Sequence, residues 1–210
     1  NIQFDAVAGY SVGQYAALLA AGAYSFEEGL ELVRVRSRAM DEIAKRFPSA
    51  MSAISGLRAA TVEEYCQSAG PNKIWISNYS APNHFTISGS VSAVEEVERL
   101  AREAKALKVV RLTVNGAWHS PLMKEAVKAV SLKIKTINWE PLQCFFIDNA
   151  TGHEADLSRE QDTLLAHLTK PVQWTESIQS LVELGFDTCL EAGPPSFISK
   201  LCGSIQDAWR

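Results

Sequence analysis

The chain has 210 residues, of which 47% are hydrophobic and 21% are charged, and its formal net charge is −4. This length can bury a sizeable core, the composition is that of an ordinary globular protein, and the acidic balance argues against nucleic acid as a partner. No apolar run approaches the length of a membrane span, so we expect no membrane association. The four cysteines contain no C-x-x-C pair, which indicates reduced thiols in a cytoplasmic protein rather than a disulfide framework or a metal site.

The segment Asp5–Ala16 predicts a strand, a sharp turn and a helix in direct succession. Ala6–Ala8 is a short apolar run that we assign to a buried strand, and an alanine- and leucine-rich helix follows the turn. The turn at Gly9–Gly13 has the pattern G-x-S-x-G, which is the setting of a nucleophile elbow because the two glycines let strand and helix cross closely. Ser11 is therefore a candidate nucleophile, and the alternative is an ordinary glycine-flanked turn.

A long amphipathic helix is predicted from Ser25, a suitable N-cap, to just before Pro48. Arg36 lies within the apolar stripe of this helix. An arginine does not lose its charge in a protein, so a buried one needs an anionic partner. We interpret Arg36 either as one half of an internal salt bridge or as a binding group for a substrate carboxylate. The apolar residues of the stripe are Leu30, Leu32, Val33, Met40, Ile43 and Ala44.

Residues 49–115 change in pattern and predict the order βαββαβ. This order is that of a split-βαβ, ferredoxin-like module, and we interpret it as a small lobe inserted between two parts of a larger one. The predicted strands are Met51–Ser55, Ile74–Asn78, Phe85–Ser88 and Val109–Val114, and the predicted helices are Thr61–Ser68, capped by Thr61, and Ser92–Ala106.

His119 lies at the junction where the chain leaves this segment and enters a helix. Ser120 is a plausible N-cap and Pro121 a favourable first helical residue, so the positive helix end should favour a neutral, proton-accepting imidazole. A purely structural histidine is the alternative. The later predicted elements are a helix near 121–135, a strand at Cys144–Asp148, helices near 158–168 and at Pro171–Leu184, a strand at Thr188–Glu191, a turn at Gly193–Pro195 and a last helix to about Gln206.

Five segments carry motifs whose order is that of one enzyme family. Ala8–Leu18 reads A-G-Y-S-V-G-Q-Y-A-A-L and resembles A-G-H-S-x-G-E-x-x-A-L, and Leu32–Met40 is similar to L-V-x-x-R-G-x-x-M. Gly116–Met123 is similar to G-A-F-H-S-x-L-M, while Pro171–Trp174 and Glu191–Pro194 are similar to P-V-x-W and E-x-G-P. On these motifs the chain resembles the malonyl-CoA:acyl carrier protein transacylases and the related acyltransferase domains of polyketide synthases.

The resemblance implies an α/β fold with two lobes. Residues 1–48 and 116–210 would form the large catalytic lobe, which is similar to an α/β-hydrolase, and residues 49–115 would form the ferredoxin-like small lobe. The family has a segment before the elbow strand that supplies a second oxyanion donor, and it has a C-terminal extension. We expect both to be missing from this chain.

The resemblance also implies a two-step acyl transfer in fatty acid or polyketide biosynthesis. Ser11 would attack malonyl-CoA with His119 as its base, and the phosphopantetheine thiol of an acyl carrier protein would then take the malonyl group. Arg36 would bind the malonyl carboxylate, and no cofactor is expected because the carrier protein supplies its own phosphopantetheine. The other residues to which the resemblance assigns roles are Met40 and Trp118 in the acyl pocket, Val12 through its backbone N–H as an oxyanion donor, and His167 through its backbone carbonyl, which would orient the histidine.

Two functions of other kinds stay open at this point. A serine hydrolase or thioesterase that clears acyl groups from carrier proteins would use the same serine and histidine, whereas a catalytically silent docking subunit of a synthase would need neither. The chain departs from the family motifs at Tyr10, Gln14 and Ser37, where the family has histidine, glutamate and glycine.

Overall fold

The computed structural model describes residues 3–155, 160–193 and 197–206, so Pro194 and Pro195 of the predicted turn and residues 158–159 of a predicted helix lie outside it. None of the helices in these ranges is long and apolar enough to cross a membrane. The strands are β1 (Ala6–Ala8), β2 (Ser49–Ser55), β3 (Ile74–Ala81), β4 (His84–Ser90), β5 (Lys108–Arg111) and β6 (Phe145–Ile147). The α-helices are α1 (Gly13–Ala20), α2 (Phe26–Arg46), α3 (Ala59–Ala69), α4 (Val91–Glu103), α5 (Lys124–Ile134), α6 (Glu160–Ala166), α7 (Trp174–Glu183) and α8 (Phe197–Ile205), and a 3₁₀ turn at Pro121–Met123 precedes α5.

Strands β1 and β6 form a parallel pair that determines where the site lies. Ala6 is opposite Phe145 and Ala8 is opposite Ile147, so the carboxyl ends of the two strands lie side by side. The turn after Ala8 therefore meets the segment after Ile147, at the edge where α/β proteins usually bind their ligands. Buried residues of α1, α2, α5 and β6 pack together beside this pair, among them Tyr15, Leu18, Leu32, Met40, Val130 and Phe146.

Helix α2 begins and ends close to the predicted residues. Ser25 and Glu28 form a capping box, in which each side chain accepts the backbone N–H of the other residue. Leu32 is fully buried, but Leu30 is 59% exposed, and its place in the predicted stripe is wrong. The reason is geometric, because residues two positions apart point about 160° away from each other around an α-helix.

Strands β2–β5 form a second, four-stranded sheet in the order β3-β4-β2-β5. All neighbouring strands in this sheet are antiparallel, and helices α3 and α4 pack against it. The elements of this segment follow one another in the predicted order βαββαβ. Its buried core includes Ile54 and Ile87 of the sheet together with Val62, Val94 and Val97 of the helices.

Three local predictions are wrong. Helix α3 starts at Ala59 with Arg58 at the N-cap position, so Thr61 lies inside the helix; the two alanines that precede it are strong helix formers. Strand β5 ends at Arg111 and does not extend to Val114. The predicted strand at Thr188–Glu191 is an irregular, mostly exposed segment, because no strand of the described residues lies beside it to pair with its backbone.

The crossing of β1 and α1 depends on Gly9 alone, and not on both glycines of the G-x-S-x-G pattern as predicted. A Cβ atom on Gly9 would lie 2.1 Å from the carbonyl carbon and oxygen of Gly13. A Cβ atom on Gly13 would meet no atom within 4 Å. Strand and helix therefore approach most closely at Gly9.

We predict that Gly9→Ala destabilises the protein, whereas the matched variant Gly13→Ala does not. Overpacking against backbone cannot be relieved by a side-chain rotation, so we expect Gly9→Ala to lower the free energy of unfolding by about 3 kcal/mol or more. A loss of that size corresponds to a fall in Tm of roughly 6–12 °C for a protein of this length. Thermal unfolding followed by circular dichroism measures both variants, and equal Tm values for the two would contradict the prediction.

Candidate active site

Ser11 lies on a strained turn between β1 and α1. Its φ angle is +53°, in the left-handed region that residues other than glycine rarely adopt and that is concentrated at functional sites. The turn is closed by hydrogen bonds from the N–H of Gly13 to the carbonyl of Tyr10 (2.9 Å) and from the N–H of Gln14 to the carbonyl of Ser11 (3.1 Å). Ser11 thus has the backbone of a nucleophile elbow.

His119 makes two hydrogen bonds that define the state of its ring. Its Nε2 lies 2.7 Å from Ser11 Oγ, and its Nδ1 lies 2.8 Å from the backbone carbonyl oxygen of His167. A carbonyl only accepts hydrogen bonds, so Nδ1 carries the hydrogen and Nε2 is free to accept the hydroxyl hydrogen of Ser11. Serine, histidine and carbonyl therefore form one continuous chain of hydrogen bonds.

The environment keeps the His119 imidazole neutral. Burial, the larger effect, and the positive charge of Arg36 together lower the pKa of His119 to about 4, and the hydrogen bond to the His167 carbonyl opposes them only in part. The ring of His167 lies 4.7 Å from that of His119, and burial also lowers the pKa of His167 well below its usual value. A neutral imidazole is the form that can take a proton from a serine hydroxyl.

Ser120 follows His119 but does not cap the next helix as predicted. It occupies the N-cap position of the 3₁₀ turn at Pro121–Met123, and its side chain makes no capping hydrogen bond. Its hydroxyl instead donates to the carbonyl of Ala117 at 2.6 Å. This bond closes the turn that contains His119, whose φ is +55°. Both residues of the serine–histidine pair therefore have left-handed backbones.

Arg36 is a buried charge without a carboxylate partner in the described part of the chain. Arg36 is 7% exposed, and its guanidinium carbon lies 5.4 Å from the centre of the Tyr15 ring. Its Nε has no hydrogen-bond partner among the described residues. By contrast, Arg34 on the opposite side of α2 pairs with Glu31 at 2.6 Å. Of the two interpretations of Arg36, the internal salt bridge is not found among the described residues, and the group is available to an external anion.

A cleft of about 310 Å³ brings most of the predicted site residues together. Met40, a further predicted member of the acyl pocket, is itself 4% exposed. The backbone N–H of Val12, next to Ser11, makes no hydrogen bond within the described residues and is free to bind an oxyanion. The residues that line the cleft are Ser11, Val12, Arg36, Ser37, Met40, Asp41 and Trp118.

The group that orients the His119 ring is a backbone carbonyl and not the acidic side chain of a Ser-His-Asp triad. Its Nδ1 partner is the main chain of His167, and the one carboxylate that lines the cleft, Asp41, pairs with Lys45 at 2.6 Å. No group of three acidic, cysteine or histidine side chains in the described ranges is arranged to hold a metal ion. The groups in and beside the cleft that can take part in acyl chemistry include the serine, the imidazole, the backbone N–H of Val12 and the arginine.

Sequence reasoning missed the polar residues behind the elbow, Asp148 and Asn149, and the part played by Gln14. Asn149 accepts a hydrogen bond from the N–H of Ser11 at 2.7 Å, and Gln14 donates to Asp148 at 2.9 Å. The available signal was an Asp-Asn pair directly after a buried strand. The departure at Tyr10 is also accommodated, because its hydroxyl lies 2.8 Å from Ser80 Oγ.

Comparison with known proteins agrees with this geometry. The acyl transferase domain family matches residues 2–204. The chain is 32% identical over 207 residues to the malonyl CoA-acyl carrier protein transacylase of Bacillus subtilis (strain 168), a match that covers 96% of this chain and 64% of the relative. It therefore spans somewhat less than two thirds of that relative's length.

Two solved structures have nearly the same fold over the whole chain. The malonyl-CoA:acyl carrier protein transacylase of Xanthomonas oryzae pv. oryzae superposes with a TM-score of 0.93 at 31% identity, covering 97% of this chain and 66% of that one. A type II polyketide synthase malonyl-transacylase, solved in complex with its acyl-carrier protein, superposes with a TM-score of 0.94 at 26% identity, covering 99% and 68%. The motif-based assignment is confirmed: the chain belongs to the acyl transferase domain family.

Proposed function

We propose that this protein transfers a malonyl group from malonyl-CoA, through an ester on Ser11, to the phosphopantetheine thiol of an acyl carrier protein in fatty acid or polyketide biosynthesis. The observation that carries the proposal is the hydrogen-bond chain from Ser11 through His119 to the His167 carbonyl, with Arg36 in the same cleft and no described carboxylate paired with it. The names of the relatives, which are malonyl transacylases, support the choice of acyl group and partner.

In the first half-reaction, Ser11 Oγ attacks the thioester carbon of malonyl-CoA while its proton passes to His119 Nε2. The Oγ–C bond forms, the negative charge on the carbonyl oxygen faces the backbone N–H of Val12, and the C–S bond then breaks. The imidazolium returns its proton to the departing CoA sulfur. His119 is thereby neutral again for the second half-reaction.

In the second half-reaction, the thiol of the carrier protein replaces CoA. Its sulfur attacks the ester carbon while His119 takes the thiol proton, the C–S bond forms, and the C–Oγ bond breaks with return of that proton to Ser11. No cofactor enters either half-reaction. Fixing the acyl group at both ends favours the delivered thiol over water, because it holds the ester in a near-attack geometry.

The acyl group would be held by other residues that line the cleft. Arg36 binds the malonyl carboxylate through two parallel hydrogen bonds, and Met40 packs against the chain beside it. Trp118, next to the base, limits the space at the α-carbon and so favours malonyl over larger branched groups. This assignment is supported by the position of all three residues around Ser11.

We also propose the two-lobe architecture that the resemblance implies. Residues 49–115 form the ferredoxin-like small lobe, which the order βαββαβ and the antiparallel strand order β3-β4-β2-β5 support. Residues 1–48 and 116–210 form the large, α/β-hydrolase-like lobe, which the strand–elbow–helix arrangement around Ser11 supports. The four cysteines are unpaired, which is consistent with a cytoplasmic location.

The direct test is covalent malonylation of Ser11. Mass spectrometry after incubation with malonyl-CoA should detect one malonyl adduct on the wild-type protein and none on Ser11→Ala. His119→Ala should slow its formation severely, since removal of one member of such a unit costs roughly 10⁴–10⁶-fold. Rapid release of free malonate would instead indicate a hydrolase, and absence of any adduct on the wild type would indicate a silent subunit.

A second prediction concerns pH. Because the pKa of His119 in the unliganded protein is about 4, the rate of acyl-enzyme formation at malonyl-CoA concentrations well below KM should stay level on acidification and reach half its value only near pH 4. Between pH 4 and about pH 6.5 the folded state binds fewer protons at His119 than the unfolded chain does. This group therefore also lowers the free energy of unfolding as the pH falls through that range. Single-turnover rates with melting curves at each pH measure both, and a half-maximal rate near the ordinary histidine value would contradict the assignment.

A third prediction is that Arg36 selects the acyl group. Arg36→Ala should lower kcat/KM for malonyl-CoA by about 10²–10³-fold, because it removes one partner of a buried charge pair, while acetyl-CoA should be spared. The matched control is Arg34→Ala, which removes an exposed arginine from the same helix and should change neither rate. A parallel loss with both substrates, together with a lower Tm, would show that Arg36 serves the fold instead.

A further inference from the structure

We propose that Asn149 is a positioning residue that holds the strained elbow of Ser11. Gln14 and Asp148 in turn hold Asn149 in place as a hydrogen-bonded pair, in which one residue has to supply an amide and the other a carboxylate. The inference rests on the proposed function in one respect, namely that Ser11 is the nucleophile. The three side chains lie behind the elbow, each 1% exposed or less, and none of them lines the cleft.

Asn149 clamps both ends of the turn that carries the nucleophile. Its side-chain oxygen accepts the backbone N–H of Ser11 at 2.7 Å, and its side-chain nitrogen donates to the carbonyl of Gly9. A left-handed residue between a strand and a helix has no regular backbone partner for its N–H, and a buried N–H without a partner is costly. Asn149 satisfies this group and at the same time fixes the direction of the peptide from which the Ser11 side chain projects.

The backbone of Asn149 is itself fixed on both sides. Its N–H donates to Gln14 Oε1 at 2.9 Å, and its carbonyl accepts the N–H of Gln173, just before α7, at 2.7 Å. Gln14 is in the first turn of α1, so the helix that follows the nucleophile also holds the residue that clamps it. The loop after β6 and the elbow after β1 are thus locked to each other across the ends of the parallel pair.

Each of the four polar side-chain atoms of the Gln14–Asp148 pair has at least one hydrogen-bond partner. Gln14 Nε2 donates to Asp148 Oδ2 at 2.9 Å. Asp148 Oδ1 accepts the backbone N–H groups of Ala150 (2.8 Å) and Thr151 (2.9 Å). A carboxylate only accepts and a primary amide both donates and accepts, so the carboxylate has to be at position 148 and the amide at position 14, or the two have to be exchanged together.

Exchanging the amide and the carboxylate between positions 14 and 148 distinguishes this pairing from a role in packing alone. Gln14→Glu places a second carboxylate against Asp148 in a fully buried site, where two like charges are strongly unfavourable. Asp148→Asn leaves one oxygen to serve both Gln14 and the two backbone N–H groups. The double variant restores the match, because the new amide at position 148 donates to the new carboxylate at position 14, whose other oxygen still accepts the N–H of Asn149.

The experiment measures the reactivity of Ser11 in the full-length protein with two probes. The first is a fluorophosphonate, which forms a P–O bond to a reactive serine and releases fluoride, and the second is malonyl-CoA with kcat and KM determined separately. Asn149→Ala should slow labelling of the folded protein by about 100-fold, as expected for a misplaced reacting group, with the loss in kcat rather than KM. Glu98→Gln is the matched control, since it alters a buried carboxylate bonded to Arg111 on the other sheet.

The exchange variants complete the test. Gln14→Glu and Asp148→Asn should each slow labelling, and their combination should recover at least about tenfold over the slower single variant. Unchanged labelling of folded Asn149→Ala, or a double variant no faster than its single variants, would overturn the proposal. If Asn149→Ala does not fold, the exchange variants decide alone. Fluorophosphonate labelling that follows these expectations without any malonylation of the wild type would contradict the proposed function and leave the positioning role intact.

Discussion

The left-handed backbone at Ser11 is the constraint on which the rest of the site depends. To hold a serine in that conformation, the strand before it has to approach the helix to van der Waals distance. Only a residue without a Cβ atom at position 9 leaves room for that approach. The N–H that the turn leaves without a regular partner has to be satisfied, which Asn149 does. The strand pair β1–β6 brings these requirements together, because it places the two loops at one edge of the sheet.

The second organising feature is a positive charge for which the described part of the chain offers no carboxylate partner. Arg36 is buried on α2 and faces the cleft, and the same charge acts on His119, whose pKa it lowers. The arginine thus has two effects with one physical origin. It creates a requirement for an anion in the cleft, and it adds to burial, the larger cause, in keeping the neighbouring imidazole unprotonated.

Much of this could be predicted from the sequence because the signals are local. The short strand, the two glycines and the start of the helix predict the elbow. The N-cap and the apolar periodicity predict α2, and the same periodicity identifies Arg36 as a charged residue within an apolar stripe. The failures also have local causes. The segment 188–191 has a strand-like composition, but a strand forms only where a neighbouring strand pairs with it. Thr61 does not cap α3, because that helix begins two residues earlier, at Ala59.

The residues that support the elbow could not be found in this way. Asn149 and Ser11 are 138 positions apart, and nothing in either segment indicates that β1 and β6 are neighbours. Gln14 was visible only as a departure from a family motif, with no account of its cause. The glutamine at this position is explained by its hydrogen bond to Asp148, and that contact exists only in the folded chain.

The proximity of Arg36 to His119 has a consequence for how an acyl transferase could avoid reacting with the wrong thioester. An anion bound at the guanidinium offsets the charge that depresses the basicity of the imidazole, so occupancy of the acyl pocket and proton affinity of the base are thermodynamically linked. If His119 is the base, an acyl group with a free carboxylate would raise its pKa, whereas an uncharged acyl group would leave the effect of Arg36 in place. Discrimination of this kind acts on the rate of bond formation as well as on affinity, and it needs no moving part.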